Sequence, residues 1–260
     1  MIVLPGNCQH IGARSIQQDA FGFSDKDDLV FVAHGGVLAV LADGMGGMAH
    51  GGEASHMAVR AFLQAYMAKS VDENVPTALR RALDEANQAV ISLAYQADEE
   101  NVGTTMVAAV IYDEVLHWVS VGDSRLYLWR DRQLTQLTED HIYANDLDRE
   151  ATNGNISRED AENHPERRSL TSYLGLTPLD LIDRNPQPFP LFSGDRILLC
   201  SDGLYVPLAE SEIDPIFNHD AQQATEDLVA LVLAKCRPGQ DNLTVAILAC
   251  EAGSNHKSKV

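Results

Sequence analysis

Apolar residues fall into short, nearly unbroken runs at 37–42, 115–121, 197–200 and 243–249. Runs of this length, rich in valine, isoleucine and leucine, predict strands buried on both faces, because a half-exposed strand would alternate apolar with polar positions. Weaker strand-like stretches lie at 2–4, 20–24, 29–33, 103–111, 126–130 and 133–136. Those from 103 to 136 are close enough for hairpin connections, so the middle of the chain reads as antiparallel. Helical periodicity is clearest where Leu79, Leu83, Ala86, Val90, Leu93 and Ala97 recur at spacings of four and three. They form one apolar stripe on a helix starting near Pro76, a favourable first-turn proline. Another helix precedes it, after a glycine-rich segment at 44–49, and a further one spans about 221–235.

Between 138 and 175 charged and polar residues dominate. This stretch predicts an excursion over the surface with short helices near 142–149 and 157–163, since a core segment holds few charges. No Pro/Gly/Ser-rich linker divides the chain, so residues 1–251 are expected to form one domain and the polar residues 252–260 a frayed tail.

The composition narrows the function. With 38 acidic against 19 basic residues and a net charge of -19, the surface cannot attract nucleic acid or an acidic membrane. Metals can still make an acidic protein bind phosphate by reversing the local field. The four cysteines, Cys8, Cys200, Cys236 and Cys250, show no CxxC spacing and read as reduced thiols, mostly in the core. The first residues lack a basic n-region, and no apolar run approaches the roughly 20 residues needed to span a bilayer. The expectation is a soluble cytoplasmic monomer.

Candidate chemistry sits at the ends of the apolar runs. Asp43-Gly44 follows the run at 37–42, Gly122-Asp123 that at 115–121, Ser201-Asp202-Gly203 that at 197–200, and Asp241 precedes the run at 243–249. Carboxylates at strand tips gather at one edge of a core, beside glycines that let a ligand approach the backbone. Four such groups together repel one another and resist ionisation unless a hard cation fills the cluster. Mg²⁺ or Mn²⁺, which prefer carboxylate, carbonyl and water oxygens, would suit.

The segment Gly44-Met45-Gly46-Gly47-Met48-Ala49 also satisfies G-x-G-x-x-A between a strand and a helix, the setting of dinucleotide binding. Asp43 would oppose a pyrophosphate there. The acid expected about 20 residues on, at a second strand end, falls at 64–67, still inside the helix. The metal reading is preferred.

In order, the chain presents Arg14-Ser15-Ile16-Gln17-Gln18-Asp19, Asp43-Gly44-Met45-Gly46-Gly47, Gly103-Thr104-Thr105, Gly122-Asp123-Ser124-Arg125, Ser201-Asp202-Gly203-Leu204 and Asp241-Asn242. This series, from about Gly6 to Ala249, resembles the metal-dependent serine/threonine phosphatases of the type 2C family, in particular its bacterial branch. The stretch from Ile156 to Pro165, followed by Leu170-Thr171 and Leu174-Gly175, is similar to the flap of bacterial members. The resemblance implies an α+β fold, a four-layer α-β-β-α sandwich of two antiparallel sheets flanked by helix pairs, with two Mn²⁺ or Mg²⁺ ions at one end. It implies that Asp43 bridges the ions, that the Gly44 carbonyl binds the second, and that Asp202 and Asp241 complete the first. Arg14 would hold the substrate phosphate and Asp19 would belong to the inner shell or support it through water. Asp123 with Asp202 would make a third, weaker site. The implied reaction is hydrolysis of phosphoserine or phosphothreonine in proteins by a hydroxide held between the metals, on substrates of a partner kinase.

Two positions depart from the family pattern. Gln18 stands where many members have glutamate, and Met45 where certain members place a histidine proposed as general acid. Simpler roles compete at other residues. Asp123 is as well suited to a turn as to metal, Thr104 and Thr105 suit packing beneath the site, and Asp25 to Asp28 suit a solvated turn. His141 and His164 are expected to be solvated. A non-catalytic domain that binds phosphoproteins is the rival function; its mark would be loss of the metal aspartates, which are present.

Overall fold

The computed structural model describes residues 1–45, 50–99, 102–185 and 187–253. Gly46 to Ala49 of the glycine-rich segment, and the tail beyond Gly253, lie outside the described residues.

Two antiparallel sheets face each other. One has the order β1(Ile2–His10), β11(Leu243–Glu251), β10(Arg196–Cys200), β6(Arg125–Arg130), β7(Gln133–Gln136). The other runs β2(Asp19–Phe23), β3(Val37–Asp43), β4(Met106–Tyr112), β5(Val115–Val121), β8(Asp183–Arg184), with β9(Phe189–Pro190) also paired to β5. The long helices α2(Gly51–Met67) and α3(Val75–Ala97) cover the second sheet. The first is covered by α8(Ala221–Ala234), helped by the short α6(Asp202–Tyr205), α7(Glu210–Ile213) and a 3-10 turn at Asp214–Asn218.

This layering explains why the apolar runs hold no alternation. In β3, Leu38, Val40 and Ala42 pack with Phe62, Tyr66 and Leu83 of the helices. Val37, Ala39 and Leu41 pack instead with Leu126, Leu199 and Leu248 of the opposite sheet. Successive side chains of a strand point to opposite faces, and here both faces are covered, so every position is apolar. Pro5 is tolerated in β1 because β1 is an edge strand, where a missing N–H breaks no ladder.

The stretch at 29–33 is a helix, α1(Leu29–Gly35), and not the strand its β-branched residues suggest. Asp28 decides it, since its carboxylate accepts the Phe31 N–H at 3.1 Å and caps the first turn. The acidic 25–28 segment is thus a turn that ends in a helix cap. The strand expected from 103 begins at Met106, with Thr104 making only isolated bridges to Gly44 and Leu174. The β4–β5 and β6–β7 hairpins turn on two residues each, Asp113-Glu114 and Asp131-Arg132, all four with positive φ.

The polar stretch carries α4(Tyr143–Thr152) and α5(Arg158–Glu162), close to the expected helices. It is less superficial than its composition suggests. Ala144, Leu147 and Ala161 are buried, and Leu174 enters the core under α3. Asn87 of α3 fastens its end, accepting the Gly175 N–H at 2.7 Å and donating to the Leu176 carbonyl at 3.1 Å. Among the described residues no helix is long and apolar enough to cross a membrane.

Candidate active site

Antiparallel pairing brings the motif residues to one end of the sandwich. Asp43 ends β3, Asp19 begins β2, and the two are cross-strand partners. Asp202 follows β10, Asp241 precedes β11, and Asp123 follows β5. An open cleft of about 500 Å³ at this end is lined by Arg14, Asp43, Gly44, Asp123, Asp202 and Asp241. Gln18 and Met45 also line it.

Each member is held by its backbone. The Asp43 N–H donates to Thr105 Oγ1 at 3.0 Å, and its carbonyl accepts from Thr105 N at 2.9 Å and from Thr104 Oγ1 at 2.8 Å. Thr104 and Thr105 thus serve the support role their position suggests. A side chain at Gly44 would collide with the Gly51 and Gln18 carbonyls, so only glycine lets these segments approach. Asn242 ties the Arg14 loop to the start of β11, accepting the Gln18 N–H at 2.7 Å and donating to the carbonyls of Ile11 (2.8 Å) and Ile16 (3.1 Å). Within reach of that loop, Arg14 Nη2 meets Asp241 Oδ2 at 2.7 Å.

Asp19 is placed differently, behind the cleft wall and almost wholly buried. Its Oδ2 accepts from Ser201 Oγ at 2.8 Å and Thr244 Oγ1 at 2.7 Å, while its Oδ1 has no hydrogen-bond partner. Asp123 is held by Tyr205, whose hydroxyl reaches its carbonyl at 3.0 Å and its Oδ2 at 3.2 Å. The Arg125 guanidinium lies 3.6 Å over the Tyr205 ring and pairs with Asp140 at 2.6 Å.

The electrostatics follow from this crowding. Burial pushes the Asp43 carboxyl well above the usual range, and the neighbouring Asp19 and Asp202 push it further. Asp202 is pushed up to about 7 by burial, then by Asp123 and Asp241. Asp123 is raised by burial and by Asp140, and Asp19 by burial against the opposing hydroxyls of Thr244 and Ser201. An unoffset cluster of negative charge behaves in this way.

These residues fit a divalent cation. The donors are all oxygen, the set that Mg²⁺ and Mn²⁺ select. A buried carboxylate oxygen without a partner, as at Asp19 Oδ1, is costly unless a positive charge or a donor faces it. Among the described residues no three acidic, histidine or cysteine side chains already close on one point. The carboxylates ring the cleft instead, as mutually repelling groups do, and Mg²⁺ in particular keeps several waters of its own.

His141 is the clear correction. It is buried, not solvated, with ring Nδ1 accepting the Gly122 N–H at 3.1 Å and its backbone N–H donating to the Gly122 carbonyl at 2.9 Å. It ties the polar stretch to the loop of Asp123, and burial lowers its pKa. Ser201, Thr244, Tyr205 and Arg168 also serve this end of the sandwich, beyond the residues predicted from sequence. Ser201 stands inside a motif, and Arg168 is a cation in an acidic chain; Thr244 and Tyr205 carry no local signal.

The sequence profile described as Protein phosphatase 2C matches residues 8–236. The serine/threonine phosphatase stp of Listeria monocytogenes is 36% identical over 215 residues, 81% of this chain and 83% of that protein. The crystal structure of the Mycobacterium tuberculosis serine/threonine phosphatase PstP/Ppp superposes with TM-score 0.77 at 28% identity, covering 97% of this chain and 100% of that one. The catalytic domain of PstP in complex with 2 manganese ions superposes with TM-score 0.74 at 28% identity, over 96% of this chain and 99% of that one.

Proposed function

The chain belongs to the protein phosphatase 2C family and is a serine/threonine protein phosphatase, and we propose that the aspartate-ringed cleft is where it removes phosphate. The convergence of Asp43, Asp123, Asp202, Asp241 and Arg14 on one cleft carries this reading. Asp43, the Gly44 carbonyl, Asp202 and Asp241 would hold two Mn²⁺ or Mg²⁺ ions, and Asp123 with Asp202 a third. The manganese-bound PstP structure supports the choice of ion. When bound, such ions acidify coordinated water and neutralise phosphoryl oxygens.

The chain's own residues supply the rest. Arg14 offers a planar fork of donors matched to phosphate oxygens, and because it meets Asp241 through Nη2 alone its other nitrogens are free for that contact. Asp19, fixed by Ser201 and Thr244, sets negative charge directly behind Asp43 and so strengthens the pull on cations. Met45 provides no acid, so the departing serine or threonine oxygen takes its proton from water. Within the same proposal the substrates are proteins phosphorylated by a partner kinase in the cytoplasm, and the enzyme works as a monomer. Release of phosphate from a phosphothreonine peptide with Mn²⁺, abolished by chelator, is the expected result. Release that persists after exhaustive chelation would overturn the metal reading.

A further inference from the structure

Beside the main cleft lies a smaller one of about 170 Å³ that shares Asp202 and Asp241 with it. Arg168, on the segment after α5, lines both clefts, and Arg237 lines the smaller. Arg237 donates through Nη1 to the Val206 carbonyl at 3.1 Å, which leaves its other nitrogens available. The mount is firm, with Pro238 next in sequence, Gly239 at φ 72°, and Gln240 tied by its side chain to the Gly203 carbonyl at 3.1 Å and by its own carbonyl to the Ala13 N–H at 2.8 Å.

Acids outnumber bases two to one in this chain, and arginines are readily paired. Arg167 meets Asp148 at 2.8 Å and Arg14 meets Asp241 at 2.7 Å. Arg168 and Arg237 are among the arginines with no carboxylate partner among the described residues, and they are the two that line the smaller cleft. Asp202 and Asp241, the acids on the shared wall, are the ones that bound cations would offset, so the smaller cleft is most positive in the metal-loaded enzyme.

We propose that the smaller cleft is an anion subsite, in which Arg168 and Arg237 receive an acidic or second phosphorylated residue flanking the phosphorylated residue of a peptide substrate. It deepens the proposed function and rests on it. Because the two clefts share a wall, one chain can occupy both. Guanidinium groups suit carboxylate and phosphate alike, and phosphate carries more charge.

The test uses Mn²⁺-loaded enzyme and three phosphothreonine peptides that differ only beside the phosphorylated residue, carrying serine, glutamate or a second phosphothreonine. The expected kcat/KM for the glutamate peptide is roughly fivefold that of the serine peptide, as two exposed ion pairs give. The doubly phosphorylated peptide should exceed both. In Arg168→Ala and Arg237→Ala these ratios, taken within each variant, fall toward one, and Arg237→Glu reverses them. Equal kcat/KM for all three peptides, or ratios unchanged in the variants, would overturn the subsite alone. Release of phosphate from none of them would overturn the phosphatase reading together with it.

Discussion

Asp19 and Asp43 face each other as cross-strand partners at the mouth of the sandwich, one buried behind the wall and the other lining the cleft. Like charges directly opposite in an antiparallel pair destabilise it. The fold keeps this pair and fixes it with hydroxyls from Ser201 and Thr244, so the repulsion is retained for what it attracts.

Asp19→Asn removes one of the two charges while keeping an oxygen for both hydroxyls. In chelator the variant should melt several degrees above the parent, since about 1 kcal/mol shifts a domain of this size by roughly 2–4 °C. Its affinity for Mn²⁺, measured by calorimetric titration, should fall. A variant that melts lower and binds metal as tightly would show that Asp19 does not act electrostatically on the site.

The raised carboxylates set a pH dependence for the metal-free protein. Asp202, at about 7, holds its proton more firmly folded than unfolded, so the folded state binds more protons between the usual carboxylate range and about 7. Stability contributed by these groups is therefore full at low pH and lost as pH rises through that window. Thermal melts in chelator should show a Tm that declines from pH 5 to pH 8, apart from general acid effects at lower pH. Mn²⁺ should raise Tm at pH 7.5 well beyond matched NaCl, which screens without coordinating. The Asp202→Ala protein should lose most of that rise, and its activity should drop by orders of magnitude.

Arg14 is paired with Asp241 at 2.7 Å and is half exposed. Arg14→Ala should raise KM more than it lowers kcat if the phosphate contact is the same in ground and transition states. The same variant frees Asp241, so Mn²⁺ should bind it at least as tightly as the parent. Steady-state kinetics beside a metal titration separate the two effects.

Gln18 lines the cleft as a neutral amide, with its backbone fixed by Asn242 and Gly44. Gln18→Glu adds a carboxylate without moving that backbone and should tighten Mn²⁺ binding. Equal or weaker affinity by calorimetry would show that position 18 does not face the ions.

The strand-tip aspartates were legible because an apolar run broken by aspartate and glycine is a local pattern, and several such patterns in order resemble one family. The roles of Ser201 and Thr244 were not, since they meet Asp19 across 182 and 225 residues. His141 differs in degree, its partner Gly122 lying 19 residues away on the far side of the β6–β7 hairpin. The error at α1 was of another kind. Leu29 to Ala33 have the branched, apolar character of a strand, and one carboxylate at Asp28 outweighed it by capping a helix.

The two hairpins lie at the end of the sandwich away from the cleft, and Asp131 and Arg132 adopt left-handed backbone there without being glycine. Asn-Gly is the pair such turns favour. Asp131→Asn with Arg132→Gly should therefore stabilise the enzyme in the presence of metal while leaving its affinity for Mn²⁺ untouched. The molecule has a working pole and a quiet pole, and its heat resistance can be tuned from the quiet one.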